Sequence, residues 1–322
     1  MSKLKNYGPY LVFLAAMFWA TDAPFRVHLT HELSSSFIVL SEHFFDTLII
    51  LPILIMNFKE VKALRLKQWL AVIVIAIGGS ALASVAFTQA FHYVNPSVAI
   101  LLQKLQPLIA ISLAYSLLGE RLKKNYWIWA IVALAGAYLI SFPGLRPQLY
   151  SGEQFNPNLI GVSLALIAAV LWGASTVLGK YVLDKASFKT MTSLRFVVAF
   201  LFLILLNFWQ KSYPNFAKIT GTDYLFMLII ALASGVFSLF IYYYGLQTTR
   251  ASVATIAELG FPLAAVVVNA IFLKDALVPM QVVGMAVLLL GVYFLSGIND
   301  AIRARNNKEG GAHVEYAQNP ID

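Results

Sequence analysis

Residues 95–122, NPSVAILLQKLQPLIAISLAYSLLGERL, and residues 250–277, RASVATIAELGFPLAAVVVNAIFLKDAL, are two versions of one segment. A shift of 155 residues superposes them without a gap. Ser97-Val98-Ala99 falls on Ser252-Val253-Ala254, Pro107-Leu108 on Pro262-Leu263, Leu118 on Leu273 and Leu122 on Leu277. The same register carries on to Gly136 with Gly291 and Tyr138 with Tyr293. Nearer the N-terminus, Ala15-Ala16 and Trp19 match Ala168-Ala169 and Trp172, and Ser41 and Phe44 match Ser193 and Phe196. Apolar helices resemble one another through composition alone. A gap-free register that also carries Pro, Gly and Tyr reads instead as a repeat.

The composition says what is being repeated. Of 322 residues, 60% are hydrophobic and 12% charged, with mean hydropathy +0.76. Soluble domains carry about twice that charge. The numbers exclude an ordinary cytosolic enzyme, a disordered chain and a nucleic-acid binder. The net charge of +8 comes from only 23 Lys and Arg, too few for a basic nucleic-acid face. Cysteine is absent, so no disulfide framework and no thiolate chemistry is available.

A membrane-spanning helix needs about 20 mostly apolar residues. Ten such runs are expected, at 8–28, 35–57, 68–91, 96–118, 125–143, 158–181, 188–209, 223–246, 251–273 and 279–298. The expected fold is all-α and integral to the membrane. Its units are a first repeat at 1–148, a second at 149–300, and a polar tail at 301–322 expected to be disordered. Five spans per repeat is an odd number, so the second copy enters from the opposite side and the repeats are inverted. Inverted repeats imply alternating access, because each half can adopt the conformation of the other. With the N-terminus inside, Arg26, Arg146, Lys211, Lys218 and Lys274 fall outside, and Lys104 and Arg195 fall within spans. The other sixteen of the 23 cations lie inside. That asymmetry puts both termini in the cytoplasm, in a cytoplasmic (inner) membrane.

Three features resemble the EamA-type ten-helix members of the drug/metabolite transporter superfamily. They are the Trp in the first span of each repeat (Phe18-Trp19-Ala20, Leu171-Trp172-Gly173), Gly119-Glu120-Arg121-Leu122 ending the fourth span after Pro107, and Ser193-Leu194-Arg195-Phe196 opening the seventh. The likeness extends over nearly all of 8–298. It departs at His43, where the first repeat has no Arg, at Lys274-Asp275-Ala276-Leu277, and at Lys104. The resemblance implies a transporter and leaves its substrate open, because such proteins move very different solutes.

Ionisable groups inside a span usually face a cavity or a partner. The candidates for substrate binding or gating are Asp22, Glu42, His43, Asp46, Lys104, Arg195 and Glu258. At 1.5 Å per residue, Asp22, Glu42 and Lys104 fall roughly 9–12 Å below the outer surface, and Arg195 and Glu258 roughly 10 Å from the inner one. Two ion pairs are expected, Glu42 with Lys104 above a central cavity and Arg195 with Glu258 below it. Fixing helix packing is the plain alternative role for both. Glu42 and Asp46 share a helix face and are candidates to hold a proton. A metal site from Glu42, His43 and Asp46 is disfavoured, because adjacent residues point apart on a helix. Trp19, Trp172 and Tyr243 are candidate cavity aromatics. Pro107 and Pro262 are candidate hinges. The small residues Gly78–Ala81 and Ala231–Gly235 suit close helix approach, with hinging as the second reading.

Four acids in spans against two bases leave two acids in excess, which favours a cation-bearing solute. The leading expectation is a secondary transporter of a small polar metabolite, an amino acid or related amine, with protons as the candidate coupling ion; amino-acid export is one form of it, and import stays open. Nucleotides, sugars and drugs are the alternative solutes. A polytopic membrane enzyme or a scaffold is the alternative from another class. An enzyme is not expected: the five His are scattered and no phosphate loop is present, which also argues against direct ATP coupling. No cofactor is implied. The partners are the solute and the bilayer, with a homodimer left open.

Overall fold

A computed structural model describes residues 8–106, 108–109, 112–113, 116, 125–145, 150–151, 154–183, 186–238, 241–242, 260–274 and 276–294. Twelve helices carry most of these residues. In chain order they are α1 (Gly8–Trp19), α2 (Ala23–Thr30), α3 (Ser35–Met56), α4 (Phe58–Ala63), α5 (Leu66–Ala90) and α6 (Pro96–Gln103). They continue with α7 (Tyr126–Ser141), α8 (Pro157–Leu183), α9 (Phe188–Gln210), α10 (Gly221–Phe237), α11 (Gly260–Phe272) and α12 (Pro279–Phe294). A two-residue hairpin, β1 (Tyr150–Ser151) against β2 (Gln154–Phe155), precedes α8.

Among the described residues, four helices are long and apolar enough to cross a bilayer: Ser35–Met56, Leu66–Ala90, Pro157–Ser175 and Lys189–Gln210. Four shorter apolar helices, α7, α10, α11 and α12, accompany them. Their outer faces are apolar as well. Ile55, Ile131, Leu205, Phe208 and Phe272 are all well exposed, which suits a surface solvated by lipid tails and not by water. The interior is made of small and branched residues, among them Ala16, Ala83, Ala99, Ala133, Ala165 and Leu288.

Two expected spans are interrupted. The run 8–28 is not one helix: α1 ends at Trp19, and α2 starts after Asp22. Pro24 enters α2 in its first turn, where its missing N–H costs nothing. The Thr21 hydroxyl donates to the Phe18 carbonyl at 2.8 Å, satisfying an acceptor at the end of α1. The fourth run likewise pauses at Lys104, which caps α6 with ψ near 0.

Two helices widen into π turns. Ile75–Leu82 lies within α5 and Ile230–Phe237 within α10. The two segments are 155 residues apart, the offset of the sequence repeat. They contain Gly78–Ala81 and Ala231–Gly235, the small-residue stretches. π turns are frequent at functional sites.

Equivalent glycines also set the crossing of α7 and α12. A Cβ at Gly136 would lie 2.8 Å from the Gly284 carbonyl oxygen, and one at Gly291 2.7 Å from the Ala133 nitrogen. Only glycine lets these backbones approach so closely. Lys274, aligned with Gly119, takes a left-handed φ of 54° just after α11. At the other end of the bundle Glu60 of α4 accepts from the Ser187 nitrogen at 2.8 Å and the Thr190 hydroxyl at 2.7 Å, at the start of α9. These hydrogen bonds hold its carboxyl below the usual range.

Candidate functional site

The break between α1 and α2 exposes helix ends in the interior, and charged side chains gather there. Arg26, expected in an external turn, is buried. Its Nη2 donates to Asp22 Oδ2 at 2.9 Å and to Glu42 Oε2 at 3.0 Å. Its Nε reaches the same Asp22 oxygen at 3.3 Å, and its Nη1 donates to Thr88 Oγ1 at 3.0 Å. One guanidinium thus ties α2 to α3 and α5. The Asp22–Arg26 spacing of four residues is the usual helical ion-pair register. Across the break, the Ser234 hydroxyl of the second π segment donates to Asp22 at 3.4 Å.

This arrangement corrects the expected pairing. Glu42 is held by Arg26, not by Lys104. The Lys104 ammonium lies over the Phe261 ring, 4.5 Å from its centroid, a cation–π contact joining α6 to α11. The other pair cannot be compared, because Glu258 lies outside the described residues, as do Tyr243 and Pro107. Arg195 donates from Nε to the Ser80 hydroxyl and from Nη2 to the Gly79 carbonyl at 3.2 Å, both in the first π segment. Pro262 is buried in α11. With Arg26 inside, four acids face three bases, and the excess falls from two to one.

Asp46 and His43 are also fully enclosed. His43 Nδ1 bonds the Val39 carbonyl at 2.9 Å, and its ring lies 5.4 Å from that of Phe196. Asp46 has no exposed surface, and neither of its oxygens has a hydrogen-bond partner among the described residues. Gly235 of the second π segment makes room for it: a Cβ there would sit 2.5 Å from Oδ1. Among the described residues no group of His, Asp and Glu is arranged to hold a metal ion.

Aromatic rings pack against one another in the same bundle. Trp19 lies 5.3 Å from Tyr242, and Trp172 lies 5.3 Å from Phe87. Phe87 in turn contacts Phe91 at 5.0 Å. Phe91 borders a cavity of about 490 Å³ that His31, His92, Tyr93, Asn95 and Phe272 also line. Burial and the neighbouring His31 hold the His92 imidazole below its usual range. Sequence reading left this cavity unnoticed. Its signal was the run Phe91-His92-Tyr93 at a helix end, with Phe91 four residues after Phe87.

A bundle with lipid-facing sides, interrupted helices and buried ion pairs at the interruption is the architecture of a membrane carrier. The EamA-like transporter family model matches twice, over residues 6–142 and 159–297. The chain belongs to the EamA-like transporter family. Riboflavin transporter ImpX of Fusobacterium nucleatum is 32% identical over 303 residues, covering 91% of this chain and 98% of ImpX. The uncharacterized transporter YvbV of Bacillus subtilis is 25% identical over 83% of this chain and 84% of its own length. A solved crystal structure superposes with TM-score 0.58 at 16% identity, covering 89% of this chain and 95% of that one, which shows the shared fold.

Proposed function

We propose that the protein is a secondary carrier that moves a flat aromatic vitamin of the riboflavin class across the cytoplasmic membrane by alternating access. The observation that carries the substrate is the end-to-end similarity to ImpX. The chemistry of the bundle agrees with it. A tricyclic flavin ring stacks on aromatic faces, and the series Phe91, Phe87, Trp172 leads from the cavity towards the interior. The cavity volume suits a ligand of that size. The amine-bearing solute was favoured by an excess of acids, and Arg26 removes half of that excess.

Ten spans in two inverted repeats, with both termini in the cytoplasm, are part of this reading. The paired π segments and the double family match support the repeats. The charge asymmetry between loops supports the orientation. Trp19 and Trp172 are assigned to the substrate path, and Lys104 and Arg195 to the contacts that change between states.

Counterflow in proteoliposomes tests the proposal. Preloaded riboflavin is expected to accelerate uptake of labelled riboflavin, and Trp172→Ala to weaken it by about tenfold, the loss of one good aromatic contact. Acceleration by amino acids or amines in place of riboflavin would overturn the substrate. Rapid conductance without exchange would overturn the carrier.

A further inference from the structure

Asp46 is a fully buried acid of the described bundle whose geometry fits only its neutral form. Its side chain is completely buried, and both carboxyl oxygens lack a hydrogen-bond partner among the described residues. The groups around it are accounted for. On its own helix, Glu42 lies one turn away, and His43 bonds the Val39 carbonyl through Nδ1, packs against Phe196 and makes no hydrogen bond through Nε2 among the described residues. From α2, Arg26 is committed to Asp22, Glu42 and Thr88. The facing part of α5 offers Thr88, which is already the acceptor of Arg26, and no charge. From α9, Arg195 is turned to Gly79 and Ser80 on the far π segment. From α10, Asp223 sits at the helix start beside His28. The second π segment and the residue after it carry two polar side chains, Ser234 and Ser238, and no charge. Both of those hydroxyls donate to carbonyls of their own helix, Ser234 to Ile230 and Ser238 to Gly235, and Ser234 also to Asp22.

The charges add to the argument. Asp22, Glu42 and Arg26 together carry one negative charge. An ionised Asp46 would add a second, one turn from Glu42 and with no hydrogen bond from any described donor. A buried ion without a partner is far costlier than a buried neutral acid.

We propose that Asp46 is the proton-carrying residue of the transport cycle, protonated in the conformation described and ionised in the alternate one. The proposal rests on the carrier reading above. The second π segment closes over the carboxyl, with Gly235 against Oδ1. When that segment withdraws, water reaches the acid. The O–H bond breaks, the proton leaves to water on the open side, and a hydrated carboxylate remains. On the opposite face the carboxylate takes a proton from water and is enclosed again. No electron moves, and one proton crosses per cycle.

Two measurements test this. Infrared difference spectroscopy between wild type and Asp46→Asn, on purified protein at neutral pH without substrate, reads the acid directly. A neutral-acid carbonyl band is expected in wild type and absent from the variant. The absence of that band from wild type overturns the proposal without reference to any variant. In proteoliposomes, a pH gradient is expected to drive riboflavin accumulation in wild type. In Asp46→Asn that gradient is expected to add nothing to the level reached without it. Undiminished gradient-driven accumulation in the variant overturns the proposal, as does a sodium gradient replacing the pH gradient in wild type. If wild type exchanges no riboflavin at all, the substrate assignment fails and the infrared band alone decides Asp46.

Discussion

The two π segments, Ile75–Leu82 and Ile230–Phe237, are the same device in two copies, yet one meets a base and the other an acid. The first receives Arg195, whose guanidinium donates to the Gly79 carbonyl and the Ser80 hydroxyl. The second faces Asp46, which finds a glycine and no donor. The difference follows from the backbone itself. In mid-helix every N–H is used in the ladder, while each carbonyl keeps a second lone pair. A helix wall can therefore solvate a cation and not an anion. The first segment stabilises its partner as an ion. The second tolerates its partner only as a neutral acid, and the nearby acids Asp22 and Glu42 need a side-chain cation, Arg26.

That contrast can be broken by substitution. Arg26→Met has the largest expected effect, because it leaves two buried carboxylates without a cation. A loss of about 3–5 kcal/mol is expected in unfolding of the detergent-solubilised protein. Adding Asp22→Asn and Glu42→Gln is expected to restore most of it. A triple variant as unstable as the single one would refute the electrostatic role.

Arg195→Met removes hydrogen bonds from a charged donor to uncharged oxygens of the first π helix. The expected cost is smaller, about 1.5–3 kcal/mol, by the same assay. A loss as large as that of Arg26→Met would erase the distinction between the two segments.

The smallest effects separate the glycines. Gly235→Ala sets a methyl against Asp46 and is expected to cost about 1–3 kcal/mol by overpacking. Combined with Asp46→Ala, the cost should largely disappear, giving a coupling term in a double-mutant cycle. Gly78→Ala meets only Leu171 Cδ2 at 3.6 Å. It is expected to be neutral, or to gain up to about 1 kcal/mol of helix propensity. Equal penalties at Gly78 and Gly235 would sink the idea that the second segment is shaped around a carboxyl.

Much of the site was legible as a set of residues and little of it as a set of contacts. Asp22, Glu42, Asp46, Lys104 and Arg195 stand out in the sequence because charges in apolar runs are rare. Arg26 was missed because it follows Asp22-Ala23-Pro24, which reads as the end of a span. The helix break turns that same stretch into the start of α2 and carries Arg26 inward. Lys104 was matched with Glu42 by depth alone. Depth fixes position along a helix axis but not rotation about it, and rotation gave Lys104 to Phe261. The π turns had only a faint signal, two glycine- and alanine-rich stretches that also suit ordinary close packing.

The sequence by itself determined that the chain is helical and built for a bilayer, where its repeated segments lie, and which few charges its apolar helices carry. Those properties are local or additive: hydropathy sums along the chain, and the 155-residue register needs no coordinates. Only the tertiary structure decided which charge meets which, that the first span breaks at the acid, and that Asp46 has no donor. A guanidinium or carboxyl chooses its partner within about 3 Å. At that range the outcome depends on helix crossing, rotation and the absence of a single Cβ, and none of these is written in the periodicity of one helix.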